Sequence, residues 1–226
     1  MALVGAGLLG THVWQSWPDV PRLAIENPAR VSWVERNRAT LGSDAIAWRW
    51  VPLREISPHL LRAVVVAEDI EFYDHRGFSW FEIRSAWREA RAGGRARGAS
   101  TITQQLAKNL WLTPDRTAWR KLREAILTVE IERHLSKRRI LELYVNVVEF
   151  GPGVFGAAAA AERYFGKAPL FLTEAESAYL AAALSRPSLW HPGGPGTGSD
   201  PYRARVEMIR RRMGNAEFLW QHVLWW

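Results

Sequence analysis

The apolar run "LLRAVVVA" at positions 60–67 passes directly into two carboxylates, Glu68 and Asp69. Ser57 is a helix-capping residue and Pro58 suits a first helical position, so the pattern predicts a helix from about Pro58 toward a stop at Gly77. "SWFEIRSAWREARAG" predicts a second helix, and "GGRARGAS" a flexible basic loop carrying Arg95 and Arg97. Thr101 and Gln104 form a capping box that opens a third helix, "STITQQLAKNLWL". In it Ile102, Leu106 and Leu110 make a core stripe, while Gln104 and Lys108 share the opposite face. "TAWRKLREAILTVEIERHL" has helical spacing without breakers, and Leu122, Ile126 and Val129 are its expected packed stripe. Ser136 caps "KRRILELYVNVVEF", which Gly151 and Pro152 terminate. Thr173 and Glu176 form a second capping box before "ESAYLAAALS". "HPGGPGTGSDP" reads as a linker, and "YRARVEMIRRRM" as a basic terminal helix.

Residues 18–54 carry Pro18, Pro21 and Pro28 and read as a loosely structured approach, with "AWRWVPL" as a short strand or extended connection. No internal repeat is visible, and strand content is expected to be near nothing. The N-terminal "MALVGAGLLGTHVWQSW" is apolar and uncharged, but His12, Gln15 and Ser16 interrupt it before the ~20 residues of a spanning helix. Without a basic n-region it does not read as a signal peptide. It is expected to be the remnant of a membrane anchor that starts upstream, the alternative being a short interfacial segment ending in Trp14 and Trp17.

At 226 residues and 48% hydrophobic content the chain can bury one sizeable core, but not two large domains. Thirty Lys and Arg against 23 Asp and Glu leave +7, which points to an anionic partner: nucleic acid, a phospholipid surface or a phosphorylated substrate. The absence of Cys excludes disulfides, zinc–thiolate sites and a thiol nucleophile. Thirteen Trp residues suit membrane interfaces and sugar clefts, and suit core packing equally well.

Glu68 lies four after Val64 and three after Val65, so it shares an apolar face and is expected to be partly desolvated. Such a carboxylate suits proton abstraction. Taken alone, though, it reads first as a helix-end ion pair with Arg62, Arg76 or His75. Ser100, Thr101 and Thr103 gather hydroxyls at a helix N-terminus, where free N–H groups and the dipole attract anions. With Gln104, Lys108 and the basic loop, this resembles a diphosphate cradle. Glu124 follows Arg120 by four and Lys121 by three, the spacing of an ordinary helix salt bridge.

"EDIEFYDHRGF", "GASTITQQLAKN", "RKLREAILTVEIE", "SKRRILELYVNVVEFG" and "GAAAAAERYFGK" together resemble the five ordered motifs of glycosyltransferase family 51, the peptidoglycan glycosyltransferases. The likeness covers about 55–190 and favours the monofunctional members. The bifunctional relatives, the class A penicillin-binding proteins, add a transpeptidase domain, and no Ser-x-x-Lys occurs here. The resemblance implies a mainly α, lysozyme-like, two-lobed domain with a small membrane-associated jaw. It divides the chain into a membrane-proximal segment (1–54), a catalytic domain (55–190), and a linker with a basic helix (191–226). It makes Glu68 the catalytic base with Asp69 and His75 holding the site, and Glu124 the second essential carboxylate. Ser100, Thr101, Gln104, Lys108 and Asn109 would line the donor site, with Arg116, Arg120 and Lys121 near the donor phosphates. Ala99 stands where Gly is common and Val145 where Leu is usual, and neither touches a reactive group.

The implied substrates are lipid II and a lipid-linked glycan chain, and the leaving group is undecaprenyl diphosphate. Membrane phospholipids and other cell-wall synthesis or cell-division proteins are implied partners, and moenomycin an implied inhibitor. No cofactor is required, although a divalent cation such as Mg²⁺ can assist at the diphosphate. The implied location is the bacterial cytoplasmic membrane, with the catalytic domain on its outer side. The rival enzyme is a lysozyme-like muramidase or lytic transglycosylase, which has no diphosphate to hold. A basic nucleic-acid-binding protein is disfavoured, because the charge is scattered and no helix-turn-helix or zinc spacing occurs.

Overall fold

In the computed structural model, which describes residues 17–80, 84, 88, 91, 100–115 and 117–223, the apolar run becomes a helix buried on every side. The elements in chain order are α1 (Ser32–Leu41), β1 (Ala47–Trp48), α2 (Pro58–Glu68), α3 (Ile102–Trp111), α4 (Ala118–His134) and α5 (Lys137–Val147). They continue with β2 (Glu149–Gly151), β3 (Val154–Phe155), α6 (Gly156–Phe165), α7 (Glu174–Ala183), α8 (Asp200–Asn215) and α9 (Trp220–Val223). The protein is mainly α, in agreement with the lysozyme-like helical class.

The helices form two packed groups. α2 packs against α7, α8 and α9, while α3 packs against α1, α4 and α5. In α2 every residue from Leu60 to Val66 is buried, so three consecutive β-branched valines are held helical by tertiary packing against their modest propensity. α5 and α6 join the groups through a small sheet of order β1-β3-β2, in which β1 runs parallel to β3 with Ala47 opposite Val154.

Several local expectations hold. Thr101–Gln104 and Thr173–Glu176 are complete capping boxes, Ser136 caps α5, and Ile102, Leu106 and Leu110 are buried. Others need correction. α2 ends at Glu68 and does not continue toward Gly77, because Asp69 leaves the helical region (φ −164°, ψ 78°) to place its carboxylate elsewhere. Ser57 occupies the N-cap position, but its hydroxyl donates to the Leu172 carbonyl. The approach segment contains the ten-residue helix α1, whose polar sequence has little periodicity; Val34 is its buried residue, and Trp33 donates to Glu149 at 2.8 Å. Strands are short but present, and the "AWRWVPL" stretch supplies β1.

The largest correction concerns α4. Leu122, Ile126 and Val129 are not packed but 50%, 42% and 51% exposed, joined by Trp119 at 58%. The buried face carries Glu124, Leu127, Thr128 and Ile131 instead. No helix among the described residues is long and apolar enough to cross a membrane. The N-terminal apolar stretch through Ser16, Arg95, Arg97, Arg116 and most of the second expected helix lie outside the described residues.

Candidate active site

α2 delivers Glu68 at its last position, where the two helix groups meet, and leaves its side chain 10% exposed. Glu68 Oε2 accepts from Gln105 Nε2 at 2.9 Å, and Oε1 accepts from Arg205 Nη2 at 2.9 Å. Behind Gln105, the Tyr144 hydroxyl donates to its Oε1 at 2.9 Å. Burial pushes the Glu68 carboxyl above the usual carboxylate range, against the opposing pull of Gln105, Arg205 and Lys108. Burial likewise raises the Tyr144 phenol well above its ordinary value, which keeps it a donor. The ion-pair partner of Glu68 is therefore Arg205 of α8. Arg62 turns away to the Met213 and Ala216 carbonyls, and His75 engages Asp69.

Asp69, freed from the helix, organises the turn that follows. Its Oδ2 accepts the Ile102 N–H at 3.0 Å, so the anion drawn to the N-terminus of α3 within the chain is Asp69 itself. His75 Nε2 lies 2.9 Å from Asp69 Oδ1, and the Gly77 N–H donates to His75 Nδ1 at 3.0 Å. Nδ1 thus carries the lone pair, and Nε2–H donates to Asp69. Gly77 has φ +90°, its carbonyl accepts from the Thr101 hydroxyl at 2.7 Å, and a Cβ there would meet Thr128 Cγ2 at 2.7 Å. Only glycine lets this turn lie against α4.

Glu124 is buried on α4 and held by Arg120 at 2.5 Å and by Lys121. Lys108 projects from α3 toward the same region, and burial lowers its pKa against the attraction of Glu124 and Glu68. No hydrogen bond or salt bridge among the described residues takes up the Lys108 ammonium. Arg120 and Lys121 pair with Glu124, and the half-buried Lys108 is drawn toward both Glu124 and Glu68 without joining either pair. This arrangement suits an anion.

The remaining expected residues divide. Thr101 and Gln104 spend their side chains on the capping box, Asn109 is buried, and Ser100 lies beside Gln105, whose Nε2 is 3.4 Å from its carbonyl. The pattern reading missed Gln105, Tyr144 and Arg205. Gln105 is three residues before Lys108, a spacing as compatible with a shared face as that of Gln104, so the sequence carried a signal for it. Nothing local marks Arg205, which lies 137 positions from its partner.

A family profile described as Transglycosylase matches residues 37–214. A biosynthetic peptidoglycan transglycosylase of Rhodospirillum centenum is 43% identical over 213 residues, covering 94% of this chain and 86% of that protein. Its namesake in Azoarcus sp. (strain BH72) is 45% identical over 213 residues, covering 91% and 90%. That of Chromobacterium violaceum is 41% identical over 198 residues, covering 84% and 85%. With a matched profile across most of its length and relatives of this similarity, the chain belongs to the transglycosylase family.

Proposed function

We propose that this chain is a peptidoglycan glycosyltransferase that polymerises lipid II. The GlcNAc 4-hydroxyl of lipid II attacks C1 of the MurNAc at the reducing end of the lipid-linked chain, and Glu68 takes the hydroxyl proton. The C1–O bond to the diphosphate breaks as the new glycosidic bond forms, which inverts the anomeric centre and releases undecaprenyl diphosphate. Lys108, with Arg116, Arg120 and Lys121, neutralises the leaving group. Asp69 and His75 hold the turn beside the base, and Glu124 orients the cations. The carrying observation is the half-buried Lys108, which makes no hydrogen bond or salt bridge among the described residues, beside the buried, paired carboxylate of Glu124. A muramidase must protonate a glycosidic oxygen and has no use for such a cation, whereas a diphosphate leaves without a proton but needs its charge balanced.

The side chains do not favour a resident metal. No cluster of three or more metal-ligating residues occurs among the described residues; Glu68 and Glu124 are taken up by cations, and Asp69 by His75 and the Ile102 N–H. A divalent cation that takes part is carried by the diphosphate of the substrate. The test of the reading is polymerisation of fluorescent lipid II in detergent, expected to give glycan strands and to be blocked by moenomycin. Turnover of polymeric glycan without lipid II consumption would establish the hydrolase instead.

Arg205 provides a sharper check. Its charge holds the Glu68 carboxyl down, so Arg205→Met lets the carboxyl rise further. Glu68 acts ionised, and the acid limb of the pH–rate profile is expected to move to higher pH while the alkaline limb stays in place. An unmoved acid limb, measured as turnover against pH, would detach that limb from Glu68.

Peptidoglycan synthesis belongs to the cell envelope, and we assign the chain to the outer face of the cytoplasmic membrane. The exposed stripe Trp119, Leu122, Ile126 and Val129, flanked by the basic residues of α4, fits the small membrane-associated jaw. A chain lacking residues 1–17 is expected still to bind anionic phospholipid vesicles. Adding Ile126→Asp and Val129→Asp should release most of it in a sedimentation assay while detergent-phase turnover persists. Unchanged sedimentation would place the membrane contact elsewhere.

A further inference from the structure

Past the residues matched by the family profile, which end at 214, the chain folds back onto the segment that carries the proposed base. Leu219 and Val223 are fully buried, and between them Trp220 and His222 project toward two points that flank Glu68 in sequence. Trp220 lies under the Arg62 guanidinium, 3.8 Å from carbon to ring centroid, and edge-on to His59 at 5.6 Å. Both partners are on α2. Arg62 also donates to the Met213 and Ala216 carbonyls, which ties the end of α8 to the same helix. His222 stacks on Tyr73, with centroids 4.1 Å apart and planes within 10°. Tyr73 sits between Asp69 and His75 in the turn. Its ring meets Phe72 at 5.0 Å, and Phe72 meets the His75 ring at 6.5 Å.

We propose that residues 217–223 are a clasp that positions the proposed base, Trp220 gripping α2 and His222 gripping the turn after it. Two side chains two residues apart thereby fix the relation between the end of α2, where Glu68 sits, and the turn that carries Asp69 and His75. Among the described residues, the buried Tyr73 hydroxyl has no hydrogen-bond partner. A buried unpaired hydroxyl gains by reaching water, so the stack is what keeps the ring inward. Without the His222 ring, Tyr73 is free to swing out, and Phe72, with His75 packed edge-on beyond it, loses one of the rings it rests on. His222 touches no reacting atom and is a positioning residue.

The inference rests on the turn and Glu68 being the reacting centre, and its test separates the two claims. In the full chain, His222→Ala is expected to lower kcat about tenfold with KM for lipid II within about twofold, since misplacing a reacting group by a fraction of an ångström costs turnover more than binding. His222→Phe keeps a planar ring and is expected to retain kcat within about twofold of the parent. Tyr73→Leu removes the stack from the other side with buried volume largely kept; it should reproduce the kcat loss, and it decides the matter should His222→Ala not fold. Parental kcat in His222→Ala or Tyr73→Leu, even with a lowered melting temperature, would leave the segment a stability element only and overturn the proposal. An equal loss in His222→Phe would overturn the stacking role. Glu68→Gln run in parallel identifies the other failure: if it still polymerises, the site reading has failed, whereas an inactive Glu68→Gln beside a fully active His222→Ala condemns the clasp alone.

Discussion

Glu68→Gln should abolish lipid II polymerisation, with turnover falling by about 10²–10⁴ while the fold is retained. The substitution keeps the volume of the side chain and can still meet Gln105 and Arg205, but it removes the only group at this position able to take a proton. Circular dichroism and thermal melting establish the fold, and a continuous lipid II assay gives the rate. Retention of more than about half the parental turnover would remove Glu68 as the base. The pH profile supplies the sign. Burial raises the Glu68 carboxyl, so the ionised, active form is lost as pH falls through a value above the ordinary carboxylate range.

Lys108→Ala carries the second large expected effect. A preorganised cation that meets charge developing on a leaving group is worth about 10²–10³ in turnover, whereas a solvated surface lysine is worth almost nothing. Lys108 is half-buried and, among the described residues, free of an ion pair, which places it with the first kind. Lys108→Arg should restore part of the loss, because the charge persists although the geometry changes. Burial lowers the Lys108 pKa, so the charged form is lost as pH rises through a value below that of an ordinary lysine, and the alkaline limb of the profile belongs to it. Turnover at saturating lipid II decides the case. Normal turnover in Lys108→Ala would take the diphosphate away from this face of α3.

Local rules read much of this chain correctly. Capping boxes, proline and glycine punctuation and the core stripe of α3 involve residues within one or two turns of each other, so the chemistry that decides them is contained in a short window of sequence. Of the residues the ordered motifs single out, Lys108 lies within electrostatic reach of both Glu68 and Glu124, and Asp69 and His75 pair in the turn that follows Glu68. Local rules misread α4. Leu122, Ile126 and Val129 have the spacing of a core stripe, yet they face outward, while the opposite face buries Glu124 against its own cations. Periodicity states that a helix has an apolar face, but not which environment that face meets.

What the sequence by itself determined was the mainly helical class, the start of most helices and the presence of a carboxylate directly after the apolar run of one of them. What only the tertiary structure decided was the set of groups around that carboxylate. Arg205 reaches Glu68 from a helix 137 positions away, Tyr144 reaches it through Gln105, and Asp69 rather than an outside ligand takes the first N–H of α3. The physical reason is the range of the interactions. Helix propensity and capping are settled between near neighbours in sequence, whereas the desolvation and pairing of a charge depend on everything packed around it, and that is known only once the helices have met.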